Sequence, residues 1–84
     1  DGNFHCSIIT DPNKPEELEE VRHITHEITM RIIDMGGTCT GEHGIGSGKI
    51  DALVAETGAA AVGVMKSIKV TLDPNNILNP GKVL

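Results

Sequence analysis

The chain has 84 residues, of which 38% are hydrophobic and 23% charged, and its lone aromatic residue is Phe4. Trp and Tyr are absent, so any core must be built from Ile, Val, Leu, Met and Ala. The net charge is −5, with Lys and Arg scattered rather than striped, which removes the electrostatic footprint of a nucleic-acid binder.

No apolar run approaches the ~20 residues needed to span a bilayer. The N-terminus, Asp1-Gly2-Asn3-Phe4-His5, has no charged and apolar leader, and the chain reads as beginning inside a motif. Two cysteines, Cys6 and Cys39, are too few for a disulfide framework and lack metal-pair spacing, so both read as reduced, packed thiols.

Asn3 to Thr10 (NFHCSIIT) is rich in β-branched and apolar residues and predicts a strand. Alternation places Asn3, His5 and Ser7 on one face and Phe4, Cys6 and Ile8 on the other. Asp11-Pro12-Asn13-Lys14-Pro15 is strong turn chemistry and closes that strand. Leu18, Val21, Ile24, Ile28, Ile32 and Met35 then form a helical stripe, predicting a helix from Pro15 to Met35 that stops at Gly36-Gly37. An amphipathic helix after a strand needs a sheet to cover, and one strand is no sheet. Partner strands would therefore come from elsewhere, and the predicted class is α+β.

Thr38 to Lys49 (TCTGEHGIGSGK) carries four glycines between Gly41 and Gly48, interleaved with Glu42 and His43. It fails as a nucleotide phosphate loop: His43 stands where the first glycine is required, and Ile50 follows Lys49 in place of Ser or Thr. The G-x-G-x-G of Gly44, Gly46 and Gly48 is not the dinucleotide spacing either. A second helix is predicted from Ser47 or Lys49 to Glu56, broken by Gly58. A third runs from Ala59 to Leu72, with a stripe at Ala61, Met65, Ile68 and Leu72 and a stop at Asp73-Pro74. The tail from Asn75 to Leu84 is loop-like.

Two groups could carry chemistry. Asn3, His5 and Ser7 share the polar face of the first segment, and Glu42-His43 sits among glycines that let backbone approach a ligand closely. A carboxylate with imidazoles suits a divalent metal, and a neutral imidazole beside it can serve as a general base. On spacing alone, a glycine-rich turn with incidental polar residues explains Glu42-His43 equally well. His23 and His26, three residues apart on the long helix, read as a solvated pair.

The motifs Asp1-Gly2-Asn3-Phe4-His5, Gly36 to Gly46 (GGTCTGEHGIG) and Asp73-Pro74 through Leu78-Asn79-Pro80-Gly81-Lys82 strongly resemble the C-terminal part of FAD-linked oxidases of the vanillyl-alcohol oxidase type. Three motifs in order over essentially the whole chain make the resemblance specific at family level. It implies that residues 1–84 are the C-terminal part of the oxidase domain, a strand followed by helices from a ferredoxin-like cap, with the N-terminal FAD-binding domain absent. It also implies oxidation of a D-2-hydroxy acid, D-lactate to pyruvate foremost, by metal-assisted proton abstraction with hydride transfer to flavin. Glycolate and D-2-hydroxyglutarate are the alternative substrates, and a stand-alone, non-catalytic metal-binding module is the alternative of another class.

Carried over residue by residue, the resemblance makes His5 and Glu42 ligands of a divalent metal, zinc or manganese, and His43 the base. Asn3 falls at a substrate contact and Asn79 in a tail that returns toward the flavin. The family's His-x-Gly-Asp-Gly-Asn-x-His motif is entered here only at its Asp, so a further histidine lies outside this chain. The implied partners are the rest of the flavoprotein and an electron acceptor such as cytochrome c; in a eukaryote the implied location is mitochondrial, and otherwise cytoplasmic or membrane-associated. By itself the chain is expected to lack dehydrogenase activity.

Overall fold

The computed structural model describes residues 2–84, so Asp1, the first residue of the opening motif, lies outside the described residues. Three helices follow one another: α1 (Pro15–Asp34), α2 (Ile50–Thr57) and α3 (Ala59–Leu72). None among the described residues is long and apolar enough to cross a membrane.

The start of α1 is set by the predicted turn. Asp11 Oδ1 accepts from the Asn13 amide at 3.0 Å, and Asp11 O accepts from the Lys14 amide at 3.0 Å. Pro15 then enters the first turn, where its missing N–H costs nothing. Glu17 folds back to accept from the Asp11 amide at 3.0 Å and from Lys14 Nζ at 2.7 Å. At the other end the Gly36 amide reaches Ile33 O and the Gly37 amide reaches Ile32 O, both at 2.9 Å. With Gly36 at φ +81° this is a Schellman stop, which an L-residue with a side chain would strain.

The expected α+β class is overturned: no β-strand forms among the described residues. Residues 3–10 run as an extended but unpaired segment, with Ile9 99% exposed. Composition and alternation favoured a strand there, but a strand exists only when a neighbouring backbone satisfies its N–H and C=O groups. Among the described residues no second extended segment lies alongside to form a ladder. The described residues therefore form three helices with an extended N-terminal arm, not a strand followed by helices.

The core is small and centres on α2, which packs on both α1 and α3. Its buried apolar members are Cys39, Ala52, Leu53 and Val62. Cys6, expected to be packed, is instead exposed, and only Cys39 is buried. The α1 stripe is half-buried at best, and no α1 residue is buried. On α3 the predicted stripe divides. Ala61 and Met65 are half-buried, whereas Ile68 and Leu72 are exposed, because α2 covers only the other flank.

Asp73 ties α3 to the tail. It is buried, pairs with Lys69, and accepts from the Ile77 and Leu78 amides at 2.9 Å each. The Lys69 ammonium, with those two amides, holds its carboxyl below the usual carboxylate range against the opposing effect of desolvation.

Candidate metal centre

The extended arm crosses the glycine-rich loop, and four of the five predicted site residues meet there. His5 Nε2 lies 3.1 Å from Glu42 Oε1, and His43 Nε2 lies 3.4 Å from the same oxygen. The two imidazole rings are 5.4 Å apart between centroids and tilted by 43°. The other carboxylate oxygen, Oε2, accepts from Asn3 Nδ2 at 3.4 Å, a long bond that orients more than it binds.

His5, Glu42 and His43 each offer a donor atom within 4.8 Å of the others, and all three are exposed. Two donors 3.1 Å apart, as His5 Nε2 and Glu42 Oε1 are, can both sit at the ~2.0–2.2 Å that zinc takes from nitrogen and oxygen. The donor set, two imidazoles and one carboxylate, is one that zinc or manganese accepts. The chemistry of these residues thus fits a divalent metal.

Loop geometry explains how Glu42 and His43 are presented. Thr40 Oγ1 donates to Gly44 O at 3.1 Å and closes a tight turn around them. A Cβ added at Gly41 would collide with the Asn3 carboxamide, so glycine here leaves room for that side chain against the loop. Beyond the turn, Gly46 O accepts from the Val83 amide at 2.6 Å.

Residues before the loop are held by α2. Glu56 Oε2 accepts from the Cys39 amide at 2.8 Å and from Thr38 Oγ1 at 3.1 Å, while Lys49 Nζ donates to Cys39 O at 2.8 Å. The Cys39 amide above all lowers the Glu56 carboxyl from its ordinary value, and burial pushes the Cys39 thiol up. Sequence reasoning passed over Glu56 and Lys49. Their only local signal is charge placed against the α2 dipole, at both of its ends.

Asn79 is not brought to this cluster. It is exposed in the tail, at φ +48°, a backbone state that Asn tolerates well in turns. His23 and His26 also stay apart from it, His23 pairing on the α1 surface with Glu27 at 3.3 Å.

An open cavity of about 600 Å³ lies between the arm and α1, touching Asn3 and Gly41 at one end. Its walls are largely apolar, with Phe4, Ile8, Val21, Ile28 and Ile32 among them.

The C-terminal domain of the FAD linked oxidases matches residues 1–83. The chain is 54% identical over its whole length to "Probable D-lactate dehydrogenase, mitochondrial" of Danio rerio, covering 17% of that protein. It is 49% identical over its whole length to "D-lactate dehydrogenase [cytochrome], mitochondrial" of Arabidopsis thaliana, covering 15% of that protein. It is 42% identical over 99% of its length to "Glycolate oxidase subunit GlcD" of Bacillus subtilis, covering 18% of that protein. The chain thus spans less than one-fifth of these curated relatives. With the match extending over all but the last residue, the chain belongs to the FAD-linked oxidase family and represents sequence from its C-terminal domain.

Proposed function

We propose that this chain is the metal-bearing segment of an FAD-dependent dehydrogenase that oxidises D-lactate to pyruvate. The observation that carries the reading is the convergence of His5 with Glu42 and His43 across a long stretch of intervening sequence. Such a meeting of two imidazoles and a carboxylate at an exposed wall has no packing purpose.

Incomplete packing supports a role inside a larger body. The radius of gyration is 15.3 Å, against the ~12 Å expected of a compact chain this long. Large apolar side chains such as Phe4, Ile9, Ile68, Leu72 and Ile77 are exposed. In this reading FAD is held chiefly by the rest of the parent flavoprotein, outside the matched C-terminal domain.

In this reading His5 and Glu42 hold a divalent metal, and a donor from the rest of the parent completes the set. When bound, that metal lowers the pKa of the substrate 2-hydroxyl and fixes its orientation. His43 Nε2 takes the hydroxyl proton, a contribution worth roughly 10²–10⁴-fold. Asn3 contacts the substrate beside the metal and steadies Glu42 through Oε2. FAD supplies the acceptor for the electron pair leaving C2. Asn79, exposed in the tail, is assigned to the cofactor side on the family resemblance. The relatives named "D-lactate dehydrogenase [cytochrome], mitochondrial" support an electron acceptor such as cytochrome c and, for a eukaryotic source, a mitochondrial location.

Glycolate is the second reading of the substrate, favoured by the 42% identity to the Bacillus subtilis glycolate oxidase subunit. Metal analysis of the full-length flavoprotein, with turnover on D-lactate, glycolate and D-2-hydroxyglutarate, tests both. One equivalent of zinc or manganese and fastest turnover of D-lactate are expected. A metal-free protein with undiminished D-lactate turnover would sink the proposal.

A further inference from the structure

The loop that carries Glu42 and His43 has glycine at 41, 44 and 46 and lies outside the helices. Such a segment has many conformations open to it, and ordering it at each binding event would weaken the hold on a metal. The structure instead grips its entrance from α2. Glu56 and Lys49 reach the Cys39 peptide from opposite ends of that helix, the first taking its N–H and the second its C=O.

Neither residue is placed where the helix itself would want it. Lys49 is the N-cap of α2 and makes no capping bond, although a short polar residue is favoured there and a positive charge opposes the dipole. Glu56 puts a carboxylate in the last turn, where the dipole disfavours an anion and where α2 has no basic residue. Two local rules are broken in one eight-residue helix, and both broken positions converge on the same peptide. Helix stability does not account for them. Holding Cys39 does.

We propose that Glu56 and Lys49 act together as positioning residues of the metal centre, a clamp on Cys39 that orders the loop presenting Glu42 and His43 and sets how tightly the metal is held. The inference rests on the metal-centre reading above. The clamp touches none of the proposed ligands: Glu56 bonds to Thr38 and Cys39, and Lys49 to Cys39.

The test is cobalt(II) titration of the chelator-treated full-length flavoprotein, followed by visible d–d absorption, beside thermal unfolding. Glu56→Gln and Lys49→Met are each expected to weaken cobalt binding about tenfold. The double variant should be little worse than either single one, because each removes the same clamp. Leu53→Ala, a core truncation on α2 outside the clamp, should lower Tm and leave cobalt affinity intact. Wild-type affinity in a folded Glu56→Gln protein overturns the inference, as does affinity that merely follows Tm across all variants. Should Glu56→Gln fail to fold, Lys49→Met decides alone. A wild-type protein that takes up no cobalt defeats the metal-centre reading, and this inference with it.

Discussion

The carboxamide of Asn3 fills the space that a Cβ on Gly41 would need, so the arm and the loop interlock where a larger residue would have to push Asn3 aside. The atoms in the way belong to a flexible side chain, and Gly41→Ala should displace Asn3 rather than distort the backbone. Loss of the Asn3–Glu42 bond is the direct consequence. We expect metal affinity of the full-length protein to fall a few-fold, with the fold intact by circular dichroism. An unchanged dissociation constant would show that Asn3 does not steady Glu42.

Glu42 and His43 are adjacent in sequence but are assigned different work, and their variants should separate it. Glu42→Gln removes the anionic donor, and both bound metal and turnover should be lost. His43→Gln should keep the metal while turnover on D-lactate drops by roughly 10²–10⁴-fold, the usual worth of a general base. Elemental analysis beside steady-state kinetics distinguishes the two. Metal loss in His43→Gln would make it a ligand instead of the base.

Leu53 is one of four buried apolar residues among those described, so its truncation has little surrounding core to absorb it. Leu53→Ala should cost about 2 kcal/mol, the low end for such a change, since its 9% exposure lets the cavity reach solvent. Faster amide exchange along α2 and α3 in the full-length protein is the measurement. Exchange confined to α2 would mean that α3 is held by other contacts.

The carboxyls of Asp73 and Glu56 lie below their ordinary values in the folded chain, the first through Lys69 foremost and the second through the Cys39 amide. Groups of this sign contribute stability that is present above their unfolded pKa, about 4 for carboxylates, and lost as pH falls through the folded value. Protection of the Ile77 and Leu78 amides, corrected for intrinsic exchange, should therefore hold from neutral pH to about 4 and decline below it. Asp73→Asn should abolish that pH dependence and leave both amides weakly protected at every pH.

Much of the helical framework was legible from periodicity and punctuation. Pro15 and Gly36-Gly37 bracket α1 as expected, except that it ends at Asp34, and α3 begins and ends where Gly58 and Pro74 require. The start of α2 fell later than expected, at Ile50, because Lys49 supplies no cap signal.

The opening segment was misread because alternation reports which side chains share a face. It cannot report whether another backbone is present to pair with. The α3 stripe was misjudged for a similar reason: Ile68 and Leu72 have the right spacing, but α2 reaches only the flank bearing Val62.

For the site, spacing left Glu42-His43 no better than an ordinary turn, and only family resemblance linked them with His5. The geometry brings those three together with Asn3. Glu56 and Lys49 stayed hidden because their partners, Thr38 and Cys39, are distant in sequence and carry no motif that names them.

The amide of Val83 reaches the carbonyl of Gly46, which makes the last few residues a mechanical neighbour of the reactive loop. A survey of natural variants that scored damage by linear distance from Glu42 would file changes at Lys82 or Val83 as peripheral. Under the proposed function such changes belong with those that alter catalysis, because a shift at Val83 is passed to Gly46 and so to the loop that carries Glu42 and His43.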